Sequence, residues 1–136
     1  MAAAKGEDAM SARLMAMINV ASRLRARAFY SNVLGPVFGL GPAQIDHFGD
    51  QFACGDGHIR LTELPDVMPG PHPVLGWQVA DAAATAAALS AHGVALIVYP
   101  GMGQGDDGLW VAPGGQARIG WFHDSEGNLL SFTQVG

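Results

Sequence analysis

The sequence predicts an α+β domain made of two tandem βαβββ modules, and three observations carry that expectation. Two apolar runs, Leu14 to Val20 and Val74 to Val79, each lead straight into a helix-capping residue, Ser22 and Asp81. Each helix is followed by a set of shorter strand-like runs separated by Gly-containing turns. Between the halves, Pro65-Asp-Val-Met-Pro-Gly-Pro-His-Pro73 places four prolines in nine residues, which makes an extended, helix-proof linker.

The elements follow in order. After the strand Leu14 to Val20, Ala26, Phe29, Tyr30 and Val33 fall at i, i+3, i+4 and i+7 and give the first helix one apolar stripe. Gly35-Pro36 is expected to stop it at about Leu34. Short strands are expected near Gln44 to Phe48 and Gln51 to Ala53, then the turn Cys54-Gly-Asp-Gly57 and a strand from His58 to Leu64. In the second half the helix after Asp81 has a near-pure alanine face, suited to lying close against a sheet, and ends at Gly93. Val94 to Tyr99 is expected as a strand, Gly101 to Gly115 as a long Gly-rich loop, and Ala117 to His123 and Leu129 to Gln134 as the closing strands. The repeat shows in residues too. Ile18-Asn-Val-Ala-Ser22 matches Trp77-Gln-Val-Ala-Asp81, and Gly57-His-Ile-Arg-Leu61 is set against Gly127-Asn-Leu-Leu-Ser131. The expected organisation is a flexible tail over residues 1–12 and a single domain over 13–136, with module one at 13–64, the linker at 65–73 and module two at 74–135.

Composition narrows the function classes. The chain has 136 residues, 49% apolar and 14% charged, which suits one compact domain. A formal charge of -5 gives no basic footprint, so neither nucleic acid nor an anionic membrane is expected as a partner. No apolar run approaches the roughly 20 residues of a membrane helix, and the first residues do not form a secretory signal. The single cysteine, Cys54, forms no intrachain disulfide, which fits the reducing cytoplasm, the expected location. Cys54 sits between Ala53 and Gly55 at a strand end with no activating partner in sequence, and is read as a small packed residue.

Two stretches carry a resemblance. Ala28-Phe-Tyr-Ser-Asn-Val-Leu-Gly35 and Trp121-Phe-His-Asp-Ser-Glu-Gly-Asn128 resemble the "FYxxvLG" helix end and the "waFxDPdGN" hairpin of the vicinal oxygen chelate superfamily. Its members include glyoxalase I, extradiol dioxygenases, and the fosfomycin and bleomycin resistance proteins. Ser125 stands where proline is usual, and the resemblance covers about residues 13 to 135. It implies a curved, half-open mixed sheet with helices on its outer face, a ligand in the concavity, and a homodimer. Metal-dependent members hold a divalent ion there with His, Gln or Glu from four strands. Carried over one at a time, those positions fall on Met15, Val74, Ser131 and, by the count from Gly57, Leu61. Methionine, valine, leucine and a neutral hydroxyl are not donors for Mg²⁺, Mn²⁺, Zn²⁺ or Fe²⁺. The resemblance therefore implies a degenerate metal site and no cofactor, with a divalent metal kept as the alternative. His47, His58, His72, His92 and His123 are dispersed, without metal-motif spacing.

Strand parity divides the side chains into two faces. Met15, Met17 and Asn19 oppose Ala16, Ile18 and Val20. Gly76 and Gln78 oppose Leu75, Trp77 and Val79, while Ser131 and Thr133 oppose Leu130 and Phe132. In the family geometry the first set faces the concavity and the more uniformly apolar second set packs the helices. With Leu61 and Glu63 placed on the concave face, Arg60 falls on the helix side. The candidate ligand-binding residues are then Met15, Met17, Asn19, Leu61, Glu63, Gln78, Ser131 and Thr133, with Trp110 from the Gly-rich loop either closing on a bound ring or making a dimer contact. Glu63 and His123 are the acid/base candidates. Three readings follow. The leading one is a protein that binds a small organic molecule in the concave cavity without metal. The second is a metal-dependent lyase, isomerase or dioxygenase using Glu63 and nearby histidines. The third is a regulatory or interaction module with no open pocket.

Overall fold

The computed structural model describes residues 11–136, so residues 1–10 of the expected tail lie outside the described part. Module one runs β1 (Met15–Val20), α1 (Arg23–Phe29), a π-helical turn (Tyr30–Leu34), α2 (Gly35–Phe38), β2 (Gln44–Ile45), β3 (Asp50–Cys54) and β4 (Gly57–Glu63). Module two runs β5 (Leu75–Gln78), α3 (Ala82–Ala91), β6 (Trp110–Val111), β7 (Ala117–His123) and β8 (Leu129–Val135). The strands form two four-stranded mixed sheets of identical order, β1-β4-β3-β2 and β5-β8-β7-β6. In each, the first strand pairs parallel with the last and the other pairs are antiparallel. The tandem βαβββ organisation expected from the sequence is the one found.

Both helices begin as expected. Ser22 Oγ accepts from the Arg25 N–H at 3.2 Å, and Asp81 Oδ1 accepts from the Ala84 N–H at 3.0 Å. The first helix does not stop at Gly35-Pro36. A π turn carries it on, with the Gly35 N–H donating to Tyr30 O, and Pro36 follows at the start of α2. The helix ends at Gly39, whose φ of 77° is easy only for glycine. The extension delivers Phe38 to module two. Its ring stacks on Trp77 with centroids 3.9 Å apart and 7° between planes.

Val94 to Tyr99 is not a strand of the ladder. The Gln104 side chain takes up its backbone groups, with Oε1 accepting from the Tyr99 N–H at 2.6 Å and Nε2 donating to Ile97 O at 2.9 Å. Once those groups are satisfied locally, the edge of the second sheet is left to Trp110–Val111, inside the expected loop, which pair with Ile119 and Arg118. Leu109, 3% exposed, anchors this strand in the core.

One apolar core joins the helix-facing sides of the two sheets: Ile18, Val20, Phe52 and Leu61 from the first, Phe122, Leu130 and Phe132 from the second. Gly120 is required by it. A Cβ there would come within 2.5 Å of the Phe132 ring. The two motifs that carried the family resemblance meet at the junction of the modules. The Tyr30 hydroxyl donates to Asp124 Oδ2 at 2.8 Å, and burial together with that carboxylate pushes the phenol pKa well up. Asn128 Nδ2 donates to Asn19 O at 2.9 Å, and Arg25 pairs with Glu126 at 2.8 Å.

Candidate functional site

Pairing registers fix which side chains share the face away from the helices. On the first sheet these are Met15, Met17 and Asn19 of β1, His58, Arg60 and Thr62 of β4, and Gln51 of β3. On the second they are Gly76 and Gln78 of β5, Ser131 and Thr133 of β8, Ile119, Trp121 and His123 of β7, and Trp110 of β6. Met15, Met17, Asn19, Gln78, Ser131 and Thr133 are therefore on the open faces, the side expected for them, and Trp110, expected in a loop, joins them from β6. Met17 is 60% exposed there.

Leu61 and Glu63 are not. Leu61 pairs with Ile18 and is fully buried under the helices, so the expected register of β4 is off by one residue. The cause lies in the turns. β3 and β4 close on the pair Cys54–Gly57 with only Gly55 and Asp56 between, whereas β7 and β8 close on His123–Leu129 around five residues. Gly57 lies in a strand and Gly127 in a turn, so counting from both glycines compares unlike positions. A one-residue slip exchanges the two faces. By register, Arg60 paired with Met17 is the counterpart of Ser131 paired with Gly76, and Thr62 paired with Asn19 is the counterpart of Thr133 paired with Gln78.

Glu63 has a structural task. Its Oε2 accepts from the N–H of Arg23, the first residue of α1, at 2.9 Å. In module two, Gln134 Oε1 accepts from the N–H of Ala82, the first residue of α3, at 2.8 Å. The two side chains cap corresponding helices, and Glu63 does not face a cavity. A divalent ion is not served by the corresponding positions Met15, Arg60, Val74 and Ser131, which offer a thioether, a cation, an alkyl group and a neutral hydroxyl. Among the described residues no three His, Cys, Asp or Glu side chains converge to hold an ion. His123 lies on the open face of β7, exposed, with Asp124 turned away toward Tyr30.

Sequence reasoning missed the aromatic wall. Trp121 and Trp110 stand on the same face of adjoining strands with ring centroids 6.3 Å apart. Tyr99 meets Trp121 edge to face at 5.7 Å and 81°. All three rings are half-buried. Strand parity alone places Trp121 with His123, but Tyr99 joins them only because Ile97 donates its N–H to Trp121 O at 2.8 Å.

Ion pairs brace the other sheet. Asp50, on the helix side of β3 and fully buried, accepts from Arg23 at 2.7 Å and Arg27 at 2.8 Å. Burial raises the cost of its charge, but the two guanidinium groups outweigh it and its pKa falls below the ordinary carboxylate value. On the open face, Arg60 pairs with Asp46 at 2.9 Å.

A cleft of about 460 Å³ beside the Gly-rich loop includes Asp106, Asp107 and Arg118. A smaller space of about 180 Å³ sits at the seam of β1, β4 and β5, lined by Ala16, Cys54, Leu75 and Trp77.

No protein-family model matches this sequence, and no curated protein does. Solved structures do. The chain is similar to TnmS3, an antibiotic binding protein from a Streptomyces species, with a TM-score of 0.66 and 23% identity over 92% of this chain and 96% of that one. It is similar to a glyoxalase/bleomycin resistance protein from Albidiferax ferrireducens, with a TM-score of 0.66 and 19% identity over 89% and 97%. A glyoxalase/bleomycin resistance protein/dioxygenase from Alicyclobacillus acidocaldarius gives a TM-score of 0.67 at 13% identity, over 91% of each chain. The fold of this chain is that of the glyoxalase and bleomycin resistance proteins, the vicinal oxygen chelate fold.

Proposed function

We propose that this protein binds a small, flat organic molecule on the open faces of its sheets without a metal ion. The observation that carries the reading is the wall of Tyr99, Trp110 and Trp121, which offers about three aromatic surfaces at angles suited to a planar ring. Ser131, Thr133 and Gln78 beside it supply uncharged hydrogen-bonding groups, and the methionines of β1 supply a soft apolar surface that favours aromatic contact. The antibiotic binding described for TnmS3 supports a ligand of this kind. The reading with a metal-dependent enzyme loses its acid, since Glu63 is committed to capping α1.

An uncovered sheet face does not enclose a ligand, and ligand sites bury most of their occupant. Met15, Met17, Val74 and Val135 are large apolar side chains left 40–62% exposed. A second copy of the chain is proposed to cover them and complete the cavity.

Light scattering on the purified protein tests the dimer, and tryptophan quenching by a panel of planar aromatic compounds tests the site. Trp121→Ala is expected to weaken binding at least about tenfold, the loss of one aromatic anchor. The absence of quenching by any planar compound, in a folded monomer, would overturn the reading.

A further inference from the structure

Of the cavities, charged clusters and exposed patches of the molecule, the open-face cation of the first sheet carries the furthest inference. We propose that Arg60 selects the ligand's charge, holding a carboxylate, phenolate or similar oxyanion carried beside the ligand's ring system. The proposal rests on the reading of the open faces as the ligand site and adds a substrate class to it.

Four observations support it. By strand register Arg60 occupies in module one the place that Ser131, opposite Trp121, holds in module two. The head of Arg60 is fixed in position. One Nη donates to Asp46 Oδ1 at 2.9 Å and the other to Gln51 Oε1 at 3.4 Å. Asp46 is itself held by the N–H groups of Phe48 and Gly49, at 2.8 and 2.9 Å. Gly49 lets the chain pass close to β4: a Cβ there would meet Leu61 O at 2.5 Å and stand 3.3 Å from Arg60 Cζ. These contacts use two of the five guanidinium N–H groups, and an oxyanion takes two more in the paired geometry that arginine favours.

Two carboxylates lie near this cation. Asp50 lies on the other face of β3, satisfied by Arg23 and Arg27. Asp46 shares its charge among three donors and sits at the sheet edge, 54% exposed, as an anchor for the arginine. A purely structural pin would need the same Arg60–Asp46 pair, so the test reads charge preference rather than stability.

Two probes of one shape separate the cases: 9-anthracenecarboxylate and the neutral 9-anthracenemethanol, titrated by tryptophan quenching. The protein is expected to bind the carboxylate about tenfold tighter, the size of a hydrogen-bonded charge contact, with the advantage shrinking as salt rises. Arg60→Met keeps the bulk and is expected to bring the ratio of carboxylate to alcohol affinity down to about one. Arg60→Lys, which keeps the charge, is expected to retain part of the preference. Equal binding of both probes, or a preference that survives in Arg60→Met, would overturn the role of Arg60 and leave the aromatic site standing. Binding of neither probe would overturn both.

Discussion

Met17 and Arg60 in the first sheet hold the same register as Gly76 and Ser131 in the second, yet one pair is bulky and charged and the other nearly bare. The contrast extends across both faces. The first sheet is braced by ion pairs, Asp50 with two arginines behind it and Asp46 with Arg60 in front. The second is braced by rings, with Phe132 seated over Gly120 behind and Tyr99, Trp110 and Trp121 in front. A repeated backbone does not need repeated chemistry, because the backbone pattern asks only for apolar residues on the helix side and turns of the right length. The open faces are free to diverge, and here one has become a charged, methionine-lined surface and the other an aromatic one.

Mutations can break this comparison. The largest effect is expected from Leu61→Ala, about 3–4 kcal/mol of unfolding free energy, because Leu61 is fully buried and its loss leaves a cavity. Ser131→Ala, the change that would be equivalent if Leu61 lay on the open face, is expected to alter urea midpoints hardly at all. Comparable losses in the two variants would mean that the register of β4 is wrong. Next comes Asp50→Ala, at about 2–3 kcal/mol, since it strips the counter-charge from Arg23 and Arg27, which keep 20% and 29% exposure and so some help from water.

Acid should produce the smallest effect and locate it in the ion-paired regions. Asp50 and Glu126 both titrate below their ordinary values, each held down against its burial by arginine partners. A carboxylate depressed on folding lends stability that is complete above its unfolded value, near pH 4, and is lost as pH falls through the folded value. Urea unfolding followed from pH 6 downward should show a steady loss below about pH 4, and Asp50→Asn should remove part of that slope. A slope unchanged by Asp50→Asn would show that the carboxylate contributes nothing to acid sensitivity.

Much of this fold was legible because it depends on local patterns. Ser22 and Asp81 cap, alternation names the faces of β1, β5 and β8, and the proline linker separates the halves. Leu61 and Glu63 were misplaced because the turns before β4 and β8 differ in length, and strand register is a relation between strands rather than a property of one. Val94 to Tyr99 reads as a strand on composition, but the distant-looking Gln104 satisfies its backbone first.

The sequence by itself determined the repeat, the helix starts and the apolar side of β1, β5 and β8, because periodicity and capping act within a few residues. Only the tertiary structure decided what stands on the open faces: Arg60 rather than Leu61, and Trp121 with Tyr99 beside Trp110. Those neighbours are set by pairing between strands far apart in the chain, and a single residue of slip at one turn would have exchanged them.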